Sequence, residues 1–192
     1  TLLQRQTPMK LTKEQTDEIA RQKASIPKIP IPPLEGSLDH HKDFPSDLIR
    51  PRPVDVWLPE GYDEGASEQY PVIYMHDGQM LIHHADSSLA GMDVFWDVDK
   101  VMTRLIRNEE IRRAIVVSVW MAEWAEGARG EEYMPQKAVS EEVWQRMQAD
   151  SPKWSAGTSD EVLSSDSYLK FLVTELKHFI DDSYRTLTDS AN

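Results

Sequence analysis

The sequence predicts an α/β fold in which helices flank a largely parallel sheet, and three observations carry that prediction. Short apolar runs ("VDVWL", "VIYM", "AIVVSV") alternate with segments whose apolar residues recur at helical spacing. The run at 72–75 is apolar throughout, the pattern of a strand covered on both faces. It stops abruptly in His76-Asp77-Gly78, at the carboxyl end of the strand, where open α/β sheets hold their ligands.

Taken in order, residues 1–35 read as an amino-terminal arm. Thr12-Lys13-Glu14-Gln15 has the form of a capping box and opens a short polar helix to about Ser25. In "IPKIPIPPLEG", Pro27, Pro30, Pro32 and Pro33 enforce an extended strap, which lies on the domain surface or serves as a ligand for a signalling domain. Residues 36–192 form the main domain. "RPVDVWLPEGY" sets Val54, Val56 and Leu58 against Asp55 and Trp57, a half-buried strand stopped by Pro59 and a Glu-Gly turn. "WDVDKVMTRLIRNEEI" places Val98, Val101, Met102, Leu105 and Ile106 on one helical stripe. "RRAIVVSVW" is a further buried strand. A polar, Trp-rich insertion follows at about 121–164. The last segment, "SDSYLKFLVTELKHFIDDSYRT", carries Leu169, Leu172, Val173, Leu176 and Ile180 as a helical stripe.

Composition narrows the partners. The chain has 192 residues and a formal charge of −12, which opposes nucleic-acid binding, because phosphate contacts need clustered Lys and Arg. No apolar run approaches the roughly 18–20 residues that cross a bilayer, so no membrane partner is expected. "TLLQRQTPMK" lacks the apolar core of a signal peptide. Cysteine is absent, which excludes disulfides, thiolate metal sites and a Cys nucleophile from these residues. That absence suits an exported and a cytosolic protein equally, so the compartment stays open.

The turn "HDGQM" is the first candidate site. Glycine lets a backbone turn sharply and approach a substrate, and a backbone N–H aimed at a developing oxyanion stabilises a tetrahedral intermediate. The donor here would be the amide of Gln79, with Gly78 forming the turn. The plain alternative is a tight strand-to-loop turn with no catalytic role.

Together, "VDVWLPEGY", "YPVIYMHDGQM", "AIVVSVW", "EEYMP" and "YLKFLVTELKHFIDDSYRT" resemble the putative-esterase family of α/β-hydrolases, which includes enterochelin and feruloyl esterases. The resemblance runs from about Phe44 to Asn192. It implies the amino-terminal part of an α/β-hydrolase fold and a serine carboxylic-ester hydrolase with a Ser-Asp/Glu-His triad and no cofactor. The family's serine sits in a GxSxG elbow beyond the helix that ends near Tyr184. No GxSxG occurs in this sequence; "GASEQ" and "GTSDE" lack the second glycine. The triad is therefore expected beyond residue 192, and this chain alone is expected to be inactive. The alternative is a non-catalytic acyl- or carbohydrate-binding protein on a hydrolase scaffold.

The resemblance assigns His76 and Asp77 to the oxyanion turn, as orienting groups rather than triad members. It carries "R…EY" over as Arg129, Glu132 and Tyr133, in a loop bordering the site. Arg129 would pair with a carboxylate, either Glu132 or one on the substrate. Trp120, Trp124, Trp144 and Trp154, with Tyr133, would stack on a sugar or phenol of a small-molecule ester, or else pack among themselves as a lid. His76, Asp77, His83, His84 and Asp86 lack metal-ligand spacing, so His83-His84, like His40-His41, read as solvated loop histidines and no metal is expected. In hydrolase topology the third strand lies between the fourth and fifth. The order first, second, fourth, third is thus expected here, with 72–76 as an open apolar edge. Another polypeptide should pair with that edge, the enzyme's own carboxyl-terminal portion or a second copy.

Overall fold

The computed structural model describes residues 13, 30–63, 66–85, 94–121, 128–140, 142–143, 145–146 and 164–188. Apart from Lys13, the amino-terminal helix lies outside the described residues, as do Asp86, Trp124, Trp144 and Trp154. Four strands form one sheet: β1 (Ser37–Phe44), β2 (Arg52–Leu58), β3 (Val72–Met75) and β4 (Ile115–Val119), in the order β1-β2-β4-β3. That is the order expected. The directions differ from expectation, because β1–β2 and β2–β4 are antiparallel and only β3–β4 is parallel. The connections explain this. Residues 45–51 are too short for a crossover, whereas α1 (Val98–Arg107) lies between β3 and β4 in sequence and allows a parallel return. The sheet is mixed, not mostly parallel.

Helices cover both faces. Val54, Val56, Ile115, Val117 and Val119 pack against Tyr168, Phe171, Leu176 and Ile180 of the carboxyl-terminal helix. Trp57 and Val116 face the other way, with Leu81, Ile82 and Met102 of α1. Strand β2 is therefore buried on both faces, not one. Trp57 is fully covered, its indole Nε1 donating to the Glu35 carbonyl at 2.6 Å, and Asp55 is only 1% exposed.

The carboxyl-terminal helix departs from its sequence stripe. It runs as α3 (Ser165–Lys170), a π-helical segment (Phe171–Leu176) and α4 (Lys177–Ser183), in chain order after the short α2 (Ala128–Tyr133). A π-turn adds a residue to the repeat, which brings Phe171 and Leu176, five apart, onto the buried face. Leu169 and Val173 are left 57% and 58% exposed. His40 and His41 lie within β1 rather than in a loop, and His83 and His84, though in a loop, are half-buried. The polar run "SLDHHKDF" hides its strand character because one side of β1 faces solvent.

Strand β3 is one of the two edges of the described sheet, β1 being the other, and its Ile73 is 41% exposed. At its upstream end Tyr70 forms a parallel bridge with Thr186: the Tyr70 amide donates to Arg185 O and the Leu187 amide to Tyr70 O. No helix among the described residues is long and apolar enough to cross a membrane.

Candidate functional site

The carboxyl end of β3 leads into a single 3-10 turn, Gly78–Met80, whose bonds run from the Met80 amide to Asp77 O and from the Leu81 amide to Gly78 O. Asp77 precedes it in the left-handed region (φ 55°), a conformation that Asp tolerates better than most residues. Gly78 is required by space rather than by φ. A Cβ there would lie 2.6 Å from Trp120 Cδ1 and 2.7 Å from Ser118 Oγ. The turn therefore rests on the end of β4. The Ser118 hydroxyl donates to Gly78 O at 3.3 Å, and the buried Gln79 side chain accepts the Met121 amide at 3.1 Å.

Helix α2 pins the turn from the other side. Arg129, Glu132 and Tyr133 are spaced i, i+3, i+4, so they share one face of the helix. The Arg129 guanidinium grips Asp77 through Nε and Nη2, with Nη2–Oδ2 at 2.7 Å, and stacks over Tyr133. The Tyr133 hydroxyl accepts the Asp77 amide at 3.5 Å. Glu132 does not pair with Arg129. It forms a two-pronged ion pair with Arg52, at 2.7 and 2.5 Å. Arg52 is 1% exposed, opens β2, and lies over the rings of Tyr168 and Phe171.

His76 stands between the rings of Tyr133 and Tyr168, at 5.1 and 5.5 Å, and its Nδ1 lies 2.8 Å from the Tyr168 hydroxyl. Burial pushes the Tyr168 hydroxyl far up, which keeps it protonated, and its hydrogen bond with His76 Nδ1 runs in the direction that the imidazole tautomer sets. Desolvation lowers the His76 pKa, the Asp77 carboxylate raises it, and Arg129 lowers it. The folded state thus takes up the His76 proton at lower pH than the unfolded chain does. Stability contributed by neutral His76 is full above the unfolded value of about 6.5 and is lost as pH falls through the folded value. The ring keeps a solvent-exposed side, so the effect is small. His76→Gln should flatten the acid limb of a urea-midpoint-versus-pH curve below about pH 6.5; an unchanged limb would show that His76 titrates normally.

Of the seven residues singled out from sequence, His76, Asp77, Gly78, Gln79, Arg129 and Tyr133 meet around this turn, whereas Glu132 turns to Arg52. Sequence reasoning missed Arg52 and Tyr168, and expected Trp120 to stack on a sugar or phenol or to pack in a lid, whereas it is buried against Gly78. Arg52 and Glu132 are 80 positions apart, and nothing local in either segment signals the pair.

The family model described as Putative esterase matches residues 46–191. The chain belongs to that family. It is similar in structure to an IroE-like serine hydrolase from Shewanella oneidensis (19% identity, TM-score 0.48, 78% of this chain and 40% of that one). It is also similar to BES protein from Bacillus cereus (17%, 0.48, 81% and 49%). A third similar structure is a ferulic acid esterase from the anaerobic fungus Anaeromyces mucronatus (19%, 0.41, 83% and 46%). The chain spans less than half the length of each. No curated protein matches it by sequence.

Proposed function

We propose that these residues are the oxyanion side of a serine carboxylic-ester hydrolase with the α/β-hydrolase fold. The observation that carries this reading is the turn at the end of β3. Gly78 is seated against Ser118 and Trp120 with no room for a side chain, and Asp77 is held in a left-handed conformation by Arg129. A turn so over-determined fixes the direction of the Gln79 amide, which is what electrostatic preorganisation demands of an oxyanion donor. The esterase family membership supports ester hydrolysis as the reaction. His76, Asp77, Arg129, Glu132 and Tyr133 position this donor and border the site of a small-molecule ester.

The nucleophilic serine, with its histidine and acid, comes in this reading from polypeptide outside the 192 residues, since no GxSxG occurs among them. Such a segment has a place to dock. The bridge at Thr186 already runs parallel to β3 on its open side, beside exposed Ile73. A strand continuing there would complete the sheet and carry its elbow toward Gly78.

The test uses a serine-directed fluorophosphonate and p-nitrophenyl acetate. The 192-residue chain should show neither labelling nor turnover above background, whereas the product of the complete reading frame should label on one serine and turn over. Labelling of the 192-residue chain would reveal a nucleophile among these residues; absence of labelling in the complete product would remove the hydrolase reading.

A further inference from the structure

Beneath the oxyanion turn, on the α1 face of the sheet, three side chains with metal-binding chemistry converge. His40 of β1 and Asp55 of β2 are direct cross-strand partners, with His40 Nδ1 2.5 Å from Asp55 Oδ1. His84 reaches them from the loop after the 3-10 turn, its ring stacked on that of His40 at 4.2 Å and edge-on to Trp120 at 5.9 Å. One donor atom from each of the three lies within 4.8 Å of the others.

We propose that His40, Asp55 and His84 form a site for a divalent transition-metal ion of the Zn²⁺ class. The donor set is two imidazole nitrogens and one carboxylate oxygen, which suits late first-row ions rather than Mg²⁺ or Ca²⁺. Three protein ligands leave a fourth position for water. Two of the three sit on facing positions of a backbone ladder, so their backbones are in place before the ion arrives. The carboxylate also has the outer partner that such ligands usually keep: its second oxygen, Oδ2, accepts the Trp120 indole N–H at 2.6 Å. Asp55 is only 1% exposed, and a cation beside it offsets the cost of burying its charge. The ion replaces the proton shared by His40 Nδ1 and Asp55 Oδ1, which part from 2.5 Å to the roughly 3.3 Å that two ligands of a tetrahedral ion need, and His84 completes the set by side-chain rotation from the loop. Binding would tie the β1–β2 hairpin to the segment that follows the Gly78 turn. It does not depend on the hydrolase reading.

The test is calorimetric titration of the tag-free full chain with Zn²⁺, and with Co²⁺ for its visible ligand-field spectrum. One equivalent should bind, and the melting temperature should rise with free metal. His84→Ala, a loop position, should weaken binding by more than the roughly 10–100-fold that loss of an outer partner costs; Trp120→Phe should fall in that range. His83→Ala is the control, since His83 pairs instead with Asp97 at 3.3 Å and stacks on Phe95. No stoichiometric binding by the parent chain, or undiminished binding by a folded His84→Ala, overturns the site.

Discussion

Gly78→Pro should lower kcat of the serine-bearing enzyme by roughly 10²–10³-fold, the cost of losing one oxyanion donor, with much less change in KM. Two features of the turn make proline disruptive. Its Cβ would meet Trp120 Cδ1 and Ser118 Oγ at 2.6 and 2.7 Å, closer than real contacts allow. Proline also disfavours helical conformations at the preceding residue, and Asp77 sits at φ 55°, ψ 41°. Both effects rotate the Gln79 amide away from its present direction. A donor used mainly in the transition state affects kcat more than binding, so the split between the two constants is the readout. Gly78→Ala keeps the amide and adds only the Cβ, so it should show a smaller loss in the same sense. Equal kcat for parent and proline variant, with the fold verified by circular dichroism, would place the oxyanion donors elsewhere.

The parts of this site legible in sequence are those encoded locally. "HDG" after an apolar run marks the end of a strand, and the chain forms that end; "R…EY" was expected in a loop, and its residues instead form the short helix α2, whose i, i+3, i+4 spacing puts Arg129, Glu132 and Tyr133 on one side. What escaped notice depends on contacts between distant segments. Strand β1 reads as polar because its alternation is diluted by charges, and its pairing with β2 turns His40 inward to Asp55. Asp55 looked like the wet side of a half-buried strand, but α1 and the loop after the turn cover that side. The stripe at 169–180 was drawn with a 3.6-residue period, and the π-helical segment broke the phase, exposing Leu169 and Val173. A one-residue phase change moves a residue by about 100° around a helix, enough to exchange core for surface. The mixed strand directions follow from connection lengths, which the family resemblance left unresolved.

The larger thermodynamic effect should come from Glu132, which the sequence places beside the substrate and the structure places against Arg52. Glu132→Leu should destabilise the chain by about 3–5 kcal/mol, the usual cost of removing one partner from a buried ion pair. The reason is asymmetric. The Arg52 side chain has no exposed surface, so once Glu132 is gone its charge has neither water nor a carboxylate. The rings of Tyr168 and Phe171, at 5.3 and 5.9 Å, offset only part of that loss, because cation–π contacts contribute about 0.5–2 kcal/mol. The double variant Arg52→Met/Glu132→Leu removes both charges and should recover most of the lost stability, since apolar replacements of buried pairs are often neutral or better. The four chains form a double-mutant cycle whose coupling should exceed 1 kcal/mol in urea midpoints at constant m value, within the range seen for residues in contact. The effect should reach the site too. Glu132 anchors α2, and α2 delivers Arg129 to Asp77 and Tyr133 to His76, so amide exchange at Asp77 and Gly78 should quicken in Glu132→Leu and return toward the parent rate in the double variant. A Glu132→Leu variant within about 0.5 kcal/mol of the parent, the range of ordinary surface substitutions, would mean that the carboxylate is not what keeps Arg52 buried.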